Sequence, residues 1–197
     1  MESQNGSIYP FSKANSLLGE SKISQYIYKY LNSLKAKTVL LEKDYIDKDY
    51  IIDYSYFYSR SFKDIDRKTV RIHFFSEHFS QEEFFKLLKN TDGTLSACSE
   101  RICSSYLGFT VIKPIQDKDK KSLIGRTLLK TYPSPDGEDE RHFVKDIHKL
   151  SIYGIPFLIE SLPFQTQDLA VGACASTACW MCQYPLSQMF GIEKFTI

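Results

Sequence analysis

Apolar positions in the first part of the chain fall at helical steps. Ile23, Ile27, Tyr30, Leu31 and Leu34 recur at three- and four-residue intervals, which predicts a helix over 20–35 with Ser21 placed to cap its start. From Thr38 to Ser61 the composition turns to Val, Ile, Tyr and Phe in alternation, as in Asp53-Tyr54-Ser55-Tyr56-Phe57-Tyr58, and Val70 to Phe75 repeats the pattern. These stretches predict paired strands. Ser80-Gln81-Glu82-Glu83 stands ahead of the periodic Phe84, Phe85, Leu87 and Leu88, a second helix opened by a capping box. Asn90-Thr91-Asp92-Gly93 then ends it as a loop.

Farther on, Tyr106 to Pro114 and Ser122 to Tyr132 read as strands joined by the charged turn Gln116 to Lys121, followed by the turn Pro133-Ser134-Pro135-Asp136-Gly137. Phe143 to Tyr153 and Phe157 to Leu162 are two more strands, and Gly154-Ile155-Pro156 between them predicts a hairpin. The order helix, strands, helix, strands, helix predicts an α+β fold rather than a doubly wound parallel sheet. No internal repeat is visible.

With 197 residues and 43% hydrophobic content the chain can bury a substantial core. It divides into an N-terminal α+β region over 1–100 and a second region over 101–197. Twenty-five basic and 24 acidic side chains leave a net charge of +1, so no long-range field argues for a nucleic-acid or membrane partner. Met1 to Gly19 has no apolar core of a signal peptide, and no run of 18 apolar residues occurs; a cytoplasmic setting is the expectation.

Five cysteines at irregular spacing do not form a disulfide framework. Cys174-x4-Cys179-x2-Cys182 has a ferredoxin-type spacing, with Cys98 or Cys103 as a remote fourth ligand. The intervening Ala175, Ala178, Trp180 and Met181 favour a helix instead, on which Cys179 points about 140° away from Cys174; no metal or cofactor is expected. Asp44, Asp47, Asp49 and Asp53 lack the glycine and terminal glutamate of a calcium loop, and read as a solvated strand face. Tyrosines 45, 50, 54, 56 and 58 have few basic neighbours, so they read as core and cross-strand packing rather than a stacking platform.

The candidate chemistry lies near the C-terminus, in Pro163-Phe164-Gln165-Thr166-Gln167-Asp168 and Val171-Gly172-Ala173-Cys174-Ala175-Ser176-Thr177-Ala178-Cys179-Trp180-Met181. Gly172 permits a tight turn that presents Cys174, and the small residues after it predict a helix from Cys174 to about Tyr184, buried on most sides. Unpaired N–H groups and the macrodipole at a helix start favour a thiolate, the reactive form of cysteine. Gln167 or Gln165 would supply an amide N–H to a developing oxyanion.

This segment resembles the nucleophile helix of papain-like cysteine peptidases, including the bacterial branch akin to bacteriocin-processing peptidase domains. Gly108-Phe109-Thr110-Val111-Ile112-Lys113-Pro114-Ile115, Ile124-Gly125-Arg126-Thr127 and Gly154-Ile155-Pro156, together with the Gln-Asp and Gly-Ala-Cys-Ala block, are similar to a group of large bacterial proteins carrying such a domain. The resemblance covers about 106–190. It implies a Cys174 nucleophile, a glutamine oxyanion donor, assigned to Gln167, a histidine base with an Asn or Asp behind it, and a peptide or protein substrate. In such enzymes the glutamine stands six positions before the cysteine; here Asp168 is at six and Gln167 at seven. They also bring the histidine from after the cysteine, and here no His follows His148. Three expectations follow: the sequence is an N-terminal fragment of the domain, a partner chain completes it, or His142 or His148 acts from upstream. The alternative is a non-catalytic binding or regulatory module.

Overall fold

The computed structural model describes residues 6–62, 64–89, 97–116, 121–132, 145–166 and 174–193. The fold is α+β. Five strands, β1 (Gly6–Pro10), β2 (Thr38–Tyr45), β3 (Thr69–Phe75), β4 (Tyr106–Gln116) and β5 (Ser122–Leu129), form one antiparallel sheet in chain order. β6 (Asp146–Ile152) and β7 (Ile155–Ser161) form a separate two-stranded hairpin. The sheet draws its strands from both sides of residue 100, since β3 pairs with β4 from Val70↔Ile112 to Phe75↔Tyr106.

Both sheet faces are covered, so β3 reads Thr-Val-Arg-Ile-His-Phe-Phe with every position but Val70 buried. Ile72 and Phe74 face a core that includes Leu18, Ile27 and Leu31 from α1 (Ala14–Leu18) and α2 (Lys22–Ser33). Ser21 caps α2 by accepting from the Ser24 N–H at 3.0 Å, as its sequence position predicted. The opposite face packs Phe75, Phe109 and Leu128 against Phe84 of α4 (Gln81–Lys89), Ile102 of α5 (Ala97–Ser104), and Ile152, Phe157 and Ile159 of the hairpin. At the start of α4, Ser80 N donates to Glu83 Oε2 (2.7 Å) and Glu83 N to Ser80 Oγ (3.1 Å), a complete capping box.

A positive-φ backbone shapes the sheet at Gly108 and the hairpin at its turn. Gly108 has φ +120° at the β3–β4 irregularity, and a Cβ there would run into the Leu128 carbonyl oxygen. The hairpin turns on Tyr153 (φ 50°) and Gly154 (φ 93°), a two-residue turn with both φ values positive, which matches the twist of the strands it joins.

The strand predicted through Asp53–Tyr58 is instead α3 (Lys48–Tyr56) and a short 3-10 turn at Tyr58–Arg60. Asp47 is the reason: its Oδ1 accepts from the Tyr50 N–H at 3.1 Å and starts a helix, which overrides the alternation after it. Tyr50 is buried on this helix, while Tyr56 is 76% exposed and packs in no core. The predicted solvated strand face is likewise corrected, since Asp47 and Asp49 are buried. The predicted turns over Asn90–Gly93 and Pro133–Gly137 lie outside the described residues, as do 117–120 of the turn Gln116 to Lys121. Among the described residues, no helix is long and apolar enough to cross a membrane.

Candidate functional site

α6 spans Cys174–Phe190 and contains no charged side chain. Cys174 is the first described residue of α6; at a helix start, free N–H groups and the helix dipole would stabilise a thiolate. Among its described side chains Thr177, Trp180, Gln183 and Tyr184 are buried, a stripe at three- and four-residue steps. The expectation of a helix enclosed on most sides is corrected: Ala175, Ser176, Ala178, Cys179 and Cys182 are exposed, because the sheet and hairpin underlie a single face. Toward its end Leu186, Met189 and Phe190 are 41%, 62% and 67% exposed. Pro185 lies inside the helix and withholds one backbone N–H from it.

Trp180 meets Tyr184 edge-on at 5.3 Å between ring centroids, and Tyr184 meets the His148 ring at 5.4 Å. His148 sits on β6 and its Nε2 donates to the Ser161 carbonyl at 3.2 Å. Tyr184 lies ten residues beyond Cys174, which is about 15 Å along the helix axis. His148 therefore meets α6 about three turns beyond Cys174. His142 and Gln167 lie outside the described residues. Gln165, the other candidate donor, is buried.

The chain approaches the site along the outer edge of β5. Phe164 exchanges backbone hydrogen bonds with Thr127 (2.9 and 2.7 Å), and Thr166 donates its N–H to the Ile124 carbonyl at 3.0 Å. The two residues ahead of Gln167 are thus held in the sheet.

Beneath α6 lies a seam of buried charge that the sequence analysis did not single out. Arg126 on β5 donates from Nη2 to Asp47 Oδ2 (2.9 Å) and to the Tyr45 hydroxyl (3.3 Å), with Nη1 3.6 Å from Asp49 Oδ2. Burial would lower the Arg126 pKa, but Asp47 and Asp49 reverse that and hold the guanidinium charged. Burial pushes the Asp49 carboxyl up, with Arg126 opposing and Asp47 adding to the rise. Tyr184 is pushed up to about 12 by burial and by Asp49, against the Arg126 guanidinium, which also hydrogen-bonds it. One arginine therefore joins β5, the start of α3, and α6.

A second knot lies farther along the same sheet face. Arg71 Nε donates to Glu42 Oε2 at 2.6 Å and Arg71 Nη2 to the Ser151 carbonyl at 2.8 Å, with the guanidinium 4.0 Å over the Tyr45 ring. His73 is fully buried, and burial lowers its pKa to about 4. The ring is neutral near pH 7, so its contact with Glu42 is a hydrogen bond rather than an ion pair. Because Glu42 can only accept, Nε2 carries the proton to Glu42 Oε2 (3.3 Å), and Nδ1 accepts from the Tyr106 hydroxyl (2.9 Å). Burial raises the Glu42 carboxyl, but the His73 and Arg71 contacts outweigh it and hold Glu42 below its usual range. His73 is locked in this knot and is no candidate base.

The signal for the seam was present in the sequence. Arg71, His73 and Arg126 are the charged or titratable positions in strands otherwise made of apolar and small hydroxyl residues, and a charge buried in such a strand needs a partner. Among the described residues no group of three or more His, Cys, Asp or Glu could hold a metal ion. No protein-family model, curated protein or solved structure matches the chain.

Proposed function

We propose that this chain carries the nucleophile of a papain-like cysteine peptidase, with the rest of the catalytic apparatus supplied by a further segment or a partner chain. Cys174 attacks a peptide or amide carbonyl, Gln167 donates to the oxyanion, and a histidine from the completing segment takes the thiol proton. The observation that carries this reading is α6: an uncharged helix, described from Cys174 to Phe190, that is covered along one stripe only. An apolar helix exposed on its other sides is suited to burial between two bodies. The buried Arg126 seam supports the reading by fixing the helix to the sheet. The test is hydrolysis of fluorogenic peptides by this chain alone and by a longer polypeptide that adds a His-bearing segment after Ile197. Activity in the longer form that vanishes in Cys174→Ala supports the proposal. An inactive longer form, with that segment folded, counts against it.

One observation favours a second reading, a non-catalytic binding or regulatory module. His148, the described histidine that touches α6, does so at Tyr184 and not near Cys174. In that case the uncovered side of α6 binds a partner without chemistry, and Cys174→Ala leaves the association unchanged.

A further inference from the structure

A cleft of about 220 Å³ opens between α2, the end of β5 and the stretch that follows β7. Tyr26, Tyr30 and Phe164 contribute rings to it, and Ile27, Leu129 and Leu162 supply aliphatic wall. None of the nine residues lining it is charged. Its volume exceeds the ~150 Å³ of an engineered apolar cavity that accepts benzene, so one aromatic ring fits with room for a substituent.

The buried polarity of the wall is one-sided. Ser161 and Thr127 are buried hydroxyls lining this cleft, and Tyr30 is a half-buried one. Ser161 Oγ donates to the Leu129 carbonyl at 2.7 Å, Thr127 Oγ1 to the Gly125 carbonyl at 3.1 Å, and the Tyr30 hydroxyl to the Lys130 carbonyl at 2.8 Å. A hydroxyl has one proton to give. With all three protons committed to backbone carbonyls, these oxygens offer only lone pairs to an occupant. An anion would find no donor in these three, the other lining hydroxyls, Tyr26 and Thr131, belonging to an exposed and a half-buried residue, and a cation would lose its water without a carboxylate to replace it.

We infer that the cleft is a binding site for a small uncharged ring compound bearing an O–H or N–H donor, of the phenol and indole class. Rings stack against Tyr30 and Phe164 while the donor reaches the Thr127 or Ser161 oxygen. The site is separate from the chemistry of Cys174 and does not depend on it. Its floor nevertheless belongs to the stretch running through Phe164 toward Gln167, so an occupant also braces that stretch against β5.

The test is titration of the intact chain with p-cresol, indole, toluene and benzoate, followed by calorimetry and by NMR shifts. Binding of p-cresol and indole at least about fivefold tighter than toluene, the equivalent of one net hydrogen bond of ~1 kcal/mol, is expected. Benzoate should not compete. Leu162→Trp, at a position 40% exposed, should fill the cleft and weaken p-cresol at least tenfold, while Thr127→Val combined with Ser161→Ala should erase the preference over toluene. Equal binding of p-cresol and toluene, or binding undisturbed by Leu162→Trp, overturns the inference, as does failure of every ring to bind. N-acetyl-tyrosinamide binding tenfold tighter than p-cresol would also overturn it, by making the cleft a pocket for a peptide side chain.

Discussion

The Arg126 guanidinium lies 2.9 Å from the Asp47 carboxylate, whose other oxygen caps α3 through the Tyr50 N–H. A single buried carboxylate thus starts a helix and neutralises the cation that reaches α6. Removing that cation leaves Asp47 and Asp49 buried without compensation, so Arg126→Gln should cost about 3 kcal/mol or more of folding stability. Urea unfolding of the two proteins measures it. Loss of under about 1 kcal/mol would mean that water already solvates the cluster.

A second prediction concerns pH. His73 has a folded pKa of about 4 against 6.5 for an unperturbed ring. Between those values the unfolded chain binds a proton that the folded chain refuses, so stability is complete above about pH 6.5 and falls as the pH drops toward 4. The loss across the window is roughly 3 kcal/mol. Glu42, held below its usual range by His73 and Arg71, loses its own contribution at still lower pH. Denaturation midpoints measured from pH 7.5 to 4.5 should slope downward, and His73→Gln should flatten the slope. An unchanged slope in that variant would place the titration elsewhere.

Much of the architecture was legible because it depends on local rules. Ser21 and Ser80 announced their helices through capping chemistry, and Gly154 marked the hairpin turn. The helix at Lys48–Tyr56 was not legible from alternation, since Tyr54, Tyr56 and Tyr58 alternate in sequence while Asp47 decides the backbone. The pairing of Arg126 with Asp47 spans 79 residues, and no local pattern reports a contact of that range. At the candidate site, a helix running on from Cys174 was legible from the small residues after it. The one-sided burial of α6 was not, because apolar composition does not say which face is covered.

Trp180 is the largest fully buried side chain and joins α6 to the body of the protein beside Tyr184. Trp180→Ala should destabilise the fold by about 3–5 kcal/mol. Tyr184→Phe keeps the ring against His148 and removes only the hydroxyl facing Arg126, so it should cost less, about 1 kcal/mol. Thermal unfolding of both variants compares them. The reverse order would mean that polar anchoring, rather than packing, holds α6.

The most direct measurement of the central claim is the alkylation rate of each cysteine by iodoacetamide from pH 5.5 to 9, followed by mass spectrometry. Cys179 and Cys182 are exposed on the body of α6, so access alone gives them no disadvantage against Cys174. Burial pushes the Cys103 thiol up, which makes it a slow internal standard. If the helix start activates the nucleophile, Cys174 labels faster than Cys98, Cys103, Cys179 and Cys182 at pH 7, and its rate falls off at a lower pH than theirs. Equal labelling of Cys174 and Cys179 across the range, or protection of Cys174 alone, would contradict its assignment as the nucleophile.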